Sequence, residues 1–157
     1  MKRGYLEITN VCNLNCPFCT YEKGNRFLTL QEIDDYTSQI LPYCRYIYLH
    51  MLGEPLLHPD FEKILALLDR KGFYLQLVTN GTLLERFTDL LNHSCLRKLS
   101  ISLHSMNDTD VDEHYFQMID ALLEQKTETV IELRFYDPKH LNQKLNDYLN
   151  KLKNTYG

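Results

Sequence analysis

The sequence lacks any apolar run long enough to cross a membrane, because stretches such as Ile64–Leu68 fall far short of the roughly 20 residues required. It also lacks an excess of basic charge: 17 Lys and Arg residues stand against 21 Asp and Glu residues, for a net charge of −4. The basic residues are scattered, so we expect no nucleic acid partner. No repeat, linker or low-complexity segment divides the chain, and residues 1–157 are expected to form one domain. No signal peptide precedes the first strand-like segment, which by default predicts a cytoplasmic location.

The composition is that of a folded protein, with 44% hydrophobic and 24% charged residues, which excludes general disorder. Five cysteines are an odd number, and a disulfide framework is disfavoured in a chain expected in the cytoplasm. Cys44 and Cys95 stand alone and are interpreted as small apolar residues. Cys12, Cys16 and Cys19 lie within eight residues of one another and need a different explanation.

Strand-like and helix-like stretches alternate five times along the chain. The predicted strands share Ile, Leu, Val and Tyr at strand length and cover Tyr5–Thr9, Tyr46–His50, Tyr74–Thr79, Lys98–Leu103 and Val130–Phe135. The predicted helices run from Thr29 to about Leu41, over Phe61–Lys71, from Thr82 toward Asn92, from about Asp112 to Lys126, and onward from Pro138. The first and third of these helices begin with the spacing of a capping box, Thr29 with Glu32 and Thr82 with Glu85, and Gly72 is expected to end the second. This alternation predicts an α/β fold of parallel strands with right-handed crossovers, either a doubly wound sheet or a partial (β/α) TIM-like barrel.

In either architecture the functional residues lie at the carboxyl ends of the strands, in the βα loops. The predicted loops are Asn10–Leu28, Met51–Pro59, Asn80–Gly81, His104–Asp110 and Tyr136–Pro138.

The longest of these loops contains Cys12, Cys16 and Cys19 in a C-x₃-C-x₂-C pattern. Cysteine thiolates are the usual ligands of iron–sulfur clusters, and a [4Fe–4S] cluster usually takes four of them. Three cysteines leave one iron for a ligand from outside the protein, as an open catalytic metal site requires. A zinc site and a thioredoxin-like redox pair are the alternatives. Zinc sites tend to pair two C-x₂-C units, and a redox pair would leave Cys12 unexplained.

Four segments follow one another along the chain: Tyr5–Cys19, Leu52–Pro59, Val78–Thr82 and Ile101–Ser105. In this order they resemble segments of the radical S-adenosylmethionine (SAM) enzymes. The first, with Phe18 just before the last cysteine, is similar to that family's first strand and cluster loop. The second is similar to the family's Gly-Gly-Glu-Pro segment.

The resemblance implies two cofactors, a [4Fe–4S] cluster on Cys12, Cys16 and Cys19 and SAM at the open iron. In such enzymes the reduced cluster passes one electron to SAM, and the resulting 5′-deoxyadenosyl radical removes a hydrogen atom from a substrate. A flavodoxin-like or ferredoxin-like one-electron reductant is therefore an implied partner. The substrate is unassigned and is expected to be a peptide, a protein or a small molecule.

The resemblance also implies contacts to SAM after the second and third strands. Gly53, Glu54 and Pro55 would meet the methionyl amine, since glycine permits close backbone approach and a carboxylate or carbonyl oxygen accepts from an ammonium group. An ordinary turn is the alternative for this segment. Asn80, in the third similar segment, is a further expected cofactor contact.

The remaining implied contacts come from the cluster loop and the last two strands. Phe18 would lie near the adenine, or else fill space between the loop and the barrel. Ser102 and His104 would share a strand face toward the ribose and carboxylate, although a structural hydrogen bond is the alternative for His104. Arg134 would pair with the cofactor carboxylate, with an exposed salt bridge as the alternative.

The chain departs from the family pattern in its strand count. The family core has six βα units, whereas five are predicted here, and Leu52 replaces the first glycine of Gly-Gly-Glu-Pro. An unpaired last strand would expose an edge, which favours a homo-oligomer or a missing C-terminal segment. The leading hypothesis is a radical SAM enzyme core. The alternatives are an activase for a glycyl radical enzyme and a non-catalytic iron–sulfur or zinc-binding module.

Overall fold

The sheet consists of five parallel strands. A computed structural model of the protein describes residues 2–19, 24–107, 111–135 and 140–156. The strands are β1 (Arg3–Tyr5), β2 (Tyr46–Tyr48), β3 (Tyr74–Thr79), β4 (Leu96–Ser102) and β5 (Val130–Arg134). Their order in the sheet follows their order in the sequence. In a doubly wound sheet the order of the strands reverses at a switch point, and here the order does not reverse. The arrangement is therefore that of a partial (β/α) barrel.

Four α-helices connect or follow the strands: α1 (Leu30–Ile40), α2 (Phe61–Lys71), α3 (Glu113–Leu123) and α4 (Gln143–Tyr156). The predicted capping box of α1 is confirmed, since the Thr29 hydroxyl accepts from Glu32 N at 3.2 Å and the Glu32 carboxylate accepts from Thr29 N at 2.8 Å. Helix α2 ends, as predicted, at Gly72 in the left-handed conformation, with φ of 70°. Within the described ranges, no helix is both long and apolar enough to span a membrane.

The two faces of the sheet differ in character. One face packs against the helices through fully buried side chains, with strand residues such as Ile47, Leu77 and Leu99 sharing a single core with the helices. The other face is polar and partly open. There the Tyr48 hydroxyl donates to Gln76 at 2.5 Å. Buried side chains are thus concentrated between the sheet and the helices, and polar side chains line the opposite face of the sheet.

The predicted boundaries of β1 and the final helix are shifted. Strand β1 lies earlier than predicted, although Leu6 N still donates to Tyr48 O at 2.9 Å beyond its end. Helix α4 begins at Gln143, where the Asn142 side chain caps Leu145 N at 2.9 Å. The predicted start at Pro138, the loop Tyr136–Pro138 and the end of the loop His104–Asp110 lie outside the described residues.

The helix predicted from Thr82 toward Asn92 is wrong. Two short 3₁₀ helices, Leu84–Arg86 and Leu90–Asn92, take its place. The Thr82 hydroxyl donates to the Asn80 side chain at 2.7 Å instead of capping a helix. The same hydroxyl accepts from the Asn13 side chain, in the loop after β1, at 2.8 Å. A local and a tertiary contact therefore use the group on which the predicted helix cap depended.

Candidate cluster and cofactor site

The loop after β1 presents three cysteine thiols that are not in disulfides. Cys12 and Cys16 are half-buried, and Cys19 is exposed. Cys19 N donates to Cys16 O at 3.0 Å, which closes a turn between these two residues. The Cys16 thiol lies 3.8 Å from the carbonyl oxygen of Ser105, in the loop after β4. The cysteine loop thus reaches across the carboxyl ends of the strands.

The chemistry of these donors fits an iron–sulfur cluster, because one short loop supplies three thiols. Each cysteine of such a cluster binds its own iron, so the thiols need not converge on one point. Among the residues that the structure describes, no three His, Cys, Asp or Glu side chains gather around a position for a single metal ion.

The base of the cysteine loop is tied together by Thr9, which is buried. Its hydroxyl donates to Arg26 O at 2.9 Å and accepts from Val11 N at 3.0 Å. Thr9 also forms an antiparallel bridge with Phe27. These contacts bring the two ends of the loop side by side and limit the positions that its cysteines can take.

Gly53, after β2, packs directly against this base. Its φ is +75°, and a Cβ atom there would lie 2.5 Å from Thr9 O and 2.9 Å from Val11 O. Glu54 N donates to Val11 O at 2.7 Å. Only glycine fits both the left-handed conformation and this close approach. The Gly-Glu-Pro segment is therefore more than an isolated turn, because it supports the cysteine loop.

The Glu54 side chain points into the protein and is 2% exposed. One carboxylate oxygen accepts from Leu56 N at 3.0 Å and from the Thr79 hydroxyl at 2.8 Å, and the other accepts from Asn80 N at 2.7 Å. Burial raises the pKa of this carboxyl, and the three donated hydrogen bonds oppose the rise. The carboxylate thus joins the loop after β2 to the loop after β3.

Asn80 connects the loop after β3 to the cysteine loop. Its side-chain oxygen accepts from Thr82 N at 2.9 Å and from the Thr82 hydroxyl at 2.7 Å. Its amide nitrogen donates to the Asn13 side chain at 2.9 Å. Asn13 in turn donates to the Thr82 hydroxyl at 2.8 Å. Asn80 was expected among the site residues, whereas Asn13 and Thr82 were not, although both lie in segments that resemble the radical SAM family.

Phe18 and His104 come together above β4 and β5. Their ring centroids are 5.0 Å apart, and Phe18 is 43% exposed. Strand β4 ends at Ser102, and His104 lies in the 3₁₀ helix Leu103–Met106, so these two residues do not share a strand face as predicted. His104 Nδ1 lies 3.1 Å from Arg134 O. Burial lowers the pKa of His104, which favours its neutral form.

His50, to which the sequence alone assigned no role, lies just beyond β2. Burial, together with the charge of Arg134, lowers its pKa from 6.5 to about 4. Its Nδ1 atom is buried and makes no hydrogen bond to any part of the chain that the structure describes. The one sequence signal is its position, between a strand and the Gly-Glu-Pro segment.

A sequence model described as the Radical SAM superfamily matches residues 6–133 of the chain. A curated relative is the tungsten-containing aldehyde ferredoxin oxidoreductase cofactor-modifying protein of Pyrococcus furiosus, which is 40% identical over 91 residues, 54% of this chain and 25% of that protein.

Two solved structures share the fold. BtrN in complex with AdoMet and 2-DOIA has a TM-score of 0.68 at 18% identity, covering 83% of this chain and 55% of BtrN. Native anSMEcpe with bound AdoMet and the Cp18Cys peptide has a TM-score of 0.67 at 18% identity, covering 99% of this chain and 48% of anSMEcpe. The chain therefore spans about half the length of these two proteins and a quarter of the length of the curated relative.

Proposed function

The chain belongs to the radical SAM superfamily, whose enzymes use a [4Fe–4S] cluster and SAM, and we propose that Cys12, Cys16 and Cys19 bind the cluster here. When bound and reduced, the cluster supplies the electron that cleaves SAM to methionine and the 5′-deoxyadenosyl radical, which removes a hydrogen atom from the substrate. The observation that carries this proposal is the group of three cysteine thiols on one anchored loop at the carboxyl ends of the strands. Residues 1–157 act as one core domain in this proposal.

The segment Gly53–Pro55 is proposed to meet the methionyl amine through its backbone. The Glu54 carboxylate already accepts three hydrogen bonds inside the protein, so carbonyl oxygens are the acceptors left for an ammonium group. Gly53 allows a ligand to approach this backbone closely. The role of Glu54 is then to hold the segment in place.

The other side of the SAM site is proposed to consist of Phe18, Ser102, His104 and Arg134. The Phe18 and His104 rings form an aromatic pair beside the cysteine loop, suited to contact with the adenine. Neutral His104 and the Ser102 hydroxyl both offer hydrogen-bonding groups near the expected ribose. Arg134 is the nearby cation, suited to the carboxylate of SAM.

The substrate and the partners are proposed only as classes. The BtrN structure contains the small molecule 2-DOIA, and the anSMEcpe structure contains a peptide, so peptides, proteins and small molecules are the proposed substrate classes. A one-electron reductant of the flavodoxin or ferredoxin type is the proposed partner. Cluster thiols require a reducing environment, and a cytoplasmic location is proposed for that reason. A non-catalytic metal module is disfavoured because a structural site needs no amine-binding loop, the role proposed for Gly53–Pro55.

Anaerobic reconstitution with iron and sulfide, followed by dithionite and SAM, tests the function. We expect about four irons per chain and formation of 5′-deoxyadenosine. Cys16→Ala should abolish 5′-deoxyadenosine, whereas Cys44→Ala, a matched change outside the loop, should retain it. Four irons without cleavage of SAM contradict the catalytic function, and zinc in place of iron contradicts the cluster.

A further inference from the structure

Three side chains from two distant loops form a closed ring of hydrogen bonds. Asn80 Nδ2 donates to Asn13 Oδ1 at 2.9 Å, Asn13 Nδ2 donates to Thr82 Oγ1 at 2.8 Å, and Thr82 Oγ1 donates to Asn80 Oδ1 at 2.7 Å. We call Asn13, Asn80 and Thr82 the amide ring. Asn13 follows Cys12 directly, so the ring acts on the cysteine loop next to its first thiol.

The far side of the amide ring is firmly held by three other elements. Asn80 N donates to the buried Glu54 carboxylate at 2.7 Å, and Asn80 O accepts from the Tyr115 hydroxyl of α3 at 2.8 Å. Gly81 has a φ of +82°, and a Cβ atom there would lie 2.9 Å from Ile101 and from Tyr115. The turn that carries Asn80 and Thr82 therefore cannot shift without breaking buried contacts.

The described centre of the cysteine loop is more exposed than the turn that carries Asn80 and Thr82. The base of the loop is fixed by Thr9, but Asn13 itself is exposed. A side-chain amide uses both its donor and its acceptor here, and of the short side chains only asparagine offers both on one planar group. The ring therefore links the position of the cysteine loop, next to Cys12, to that of a rigid turn.

We propose that Asn13 is a positioning residue, which sets the geometry of the cluster relative to the Gly53–Pro55 segment through the amide ring. This inference rests on the proposed function, since it concerns the same cluster and SAM site. Groups that hold metal ligands in place commonly change metal affinity or activity by 10- to 100-fold when they are replaced. Because the Asn13 side chain is exposed, its contribution to the cluster can be separated from its contribution to folding.

The variants Asn13→Leu and Thr82→Val test the inference, since both break the ring, keep the number of side-chain heavy atoms and add no charge. Thr82→Ser keeps the hydroxyl and should restore wild-type behaviour. Asn15→Leu is the matched control, because Asn15 lies in the same loop and makes no side-chain hydrogen bond that the described residues show.

The readouts are iron content, thermal unfolding, the electron paramagnetic resonance spectrum of the reduced protein and the dissociation constant for SAM. We expect Asn13→Leu and Thr82→Val to alter the spectrum and to weaken SAM binding on the order of tenfold, with near wild-type unfolding temperatures. The double variant should be no worse than either single variant, because the ring acts as a unit.

If both ring variants show the wild-type spectrum and the wild-type affinity for SAM, the inference is overturned while the proposed function stands. An equal loss of SAM affinity in Asn15→Leu also overturns it. So does a fall in unfolding temperature in every variant that loses iron, because the effect would then be one on folding. If the wild-type protein itself binds no cluster, the proposed function fails first, and the inference fails with it.

Discussion

The Glu54 carboxylate accepts a hydrogen bond from the backbone N–H of Asn80 at 2.7 Å, across 26 positions of the chain. The same carboxylate accepts from Thr79, at the end of β3, and from Leu56. One buried side chain thus fixes the loops after two neighbouring strands relative to each other. This arrangement makes the Gly-Glu-Pro segment and the Asn80 turn one structural unit.

Glu54→Gln should lower the free energy of unfolding by roughly 1–3 kcal/mol, because the amide nitrogen of Gln would face an N–H or O–H donor in a buried site. Urea denaturation of the wild type and the variant measures the loss. Glu128→Gln is the control, since Glu128 is exposed, and it should change the free energy by less than about 0.5 kcal/mol. Equal stability of the two variants would contradict the buried network.

Gly53→Ala should disrupt the contact between the Gly-Glu-Pro segment and the cysteine loop. The added Cβ atom would lie 2.5 Å from Thr9 O, and the residue would be held in a left-handed conformation. We therefore expect the free energy of unfolding to fall by about 2 kcal/mol or more and the iron content to be lower. Leu52→Ala changes the neighbouring, partly exposed residue and should keep the wild-type iron content. Normal iron content and stability in Gly53→Ala would show that the close approach is not required.

His50 should make the fold less stable at acidic pH. Its pKa is lowered from 6.5 to about 4, so between these values the unfolded chain binds a proton that the folded chain does not. Stability therefore falls as pH drops through this window, and His50→Gln should make the fall shallower. Thermal unfolding at pH 7 and pH 4.5 measures the difference.

His114→Gln provides a control of opposite sign. Glu85 raises the pKa of His114, so the folded chain holds that proton more tightly, and the residue favours folding at low pH. Its removal should make the acid-induced fall steeper. A steeper fall in His50→Gln as well would contradict the assignment of a neutral, buried His50.

Local patterns predicted part of the fold and of the site. Thr29 and Glu32 form the capping box that their spacing indicates. Thr82 and Glu85 have the same spacing and form none, because the Thr82 hydroxyl donates to Asn80 and accepts from Asn13, which lies in the loop after β1. A pattern read along the chain cannot register a competing partner in another loop.

The three cysteines were predictable because their chemistry depends on spacing within one loop. The partners in the amide ring were not, since Asn13 and Asn80 are 67 positions apart and only the fold brings them together. The environment of His50 was hidden for the same reason. Its burial and the effect of the Arg134 charge depend on the fold, which places β2 and β5 in one sheet with β3 and β4 between them.

The electron paramagnetic resonance spectrum of the dithionite-reduced protein, recorded with and without SAM, tests the central claim most directly. If Cys12, Cys16 and Cys19 leave one iron open, the reduced protein gives a [4Fe–4S] signal that changes when SAM is added. Cys44→Ala keeps that response and Cys16→Ala loses it. A cluster signal that saturating SAM leaves unchanged would contradict the open iron and, with it, the proposed function.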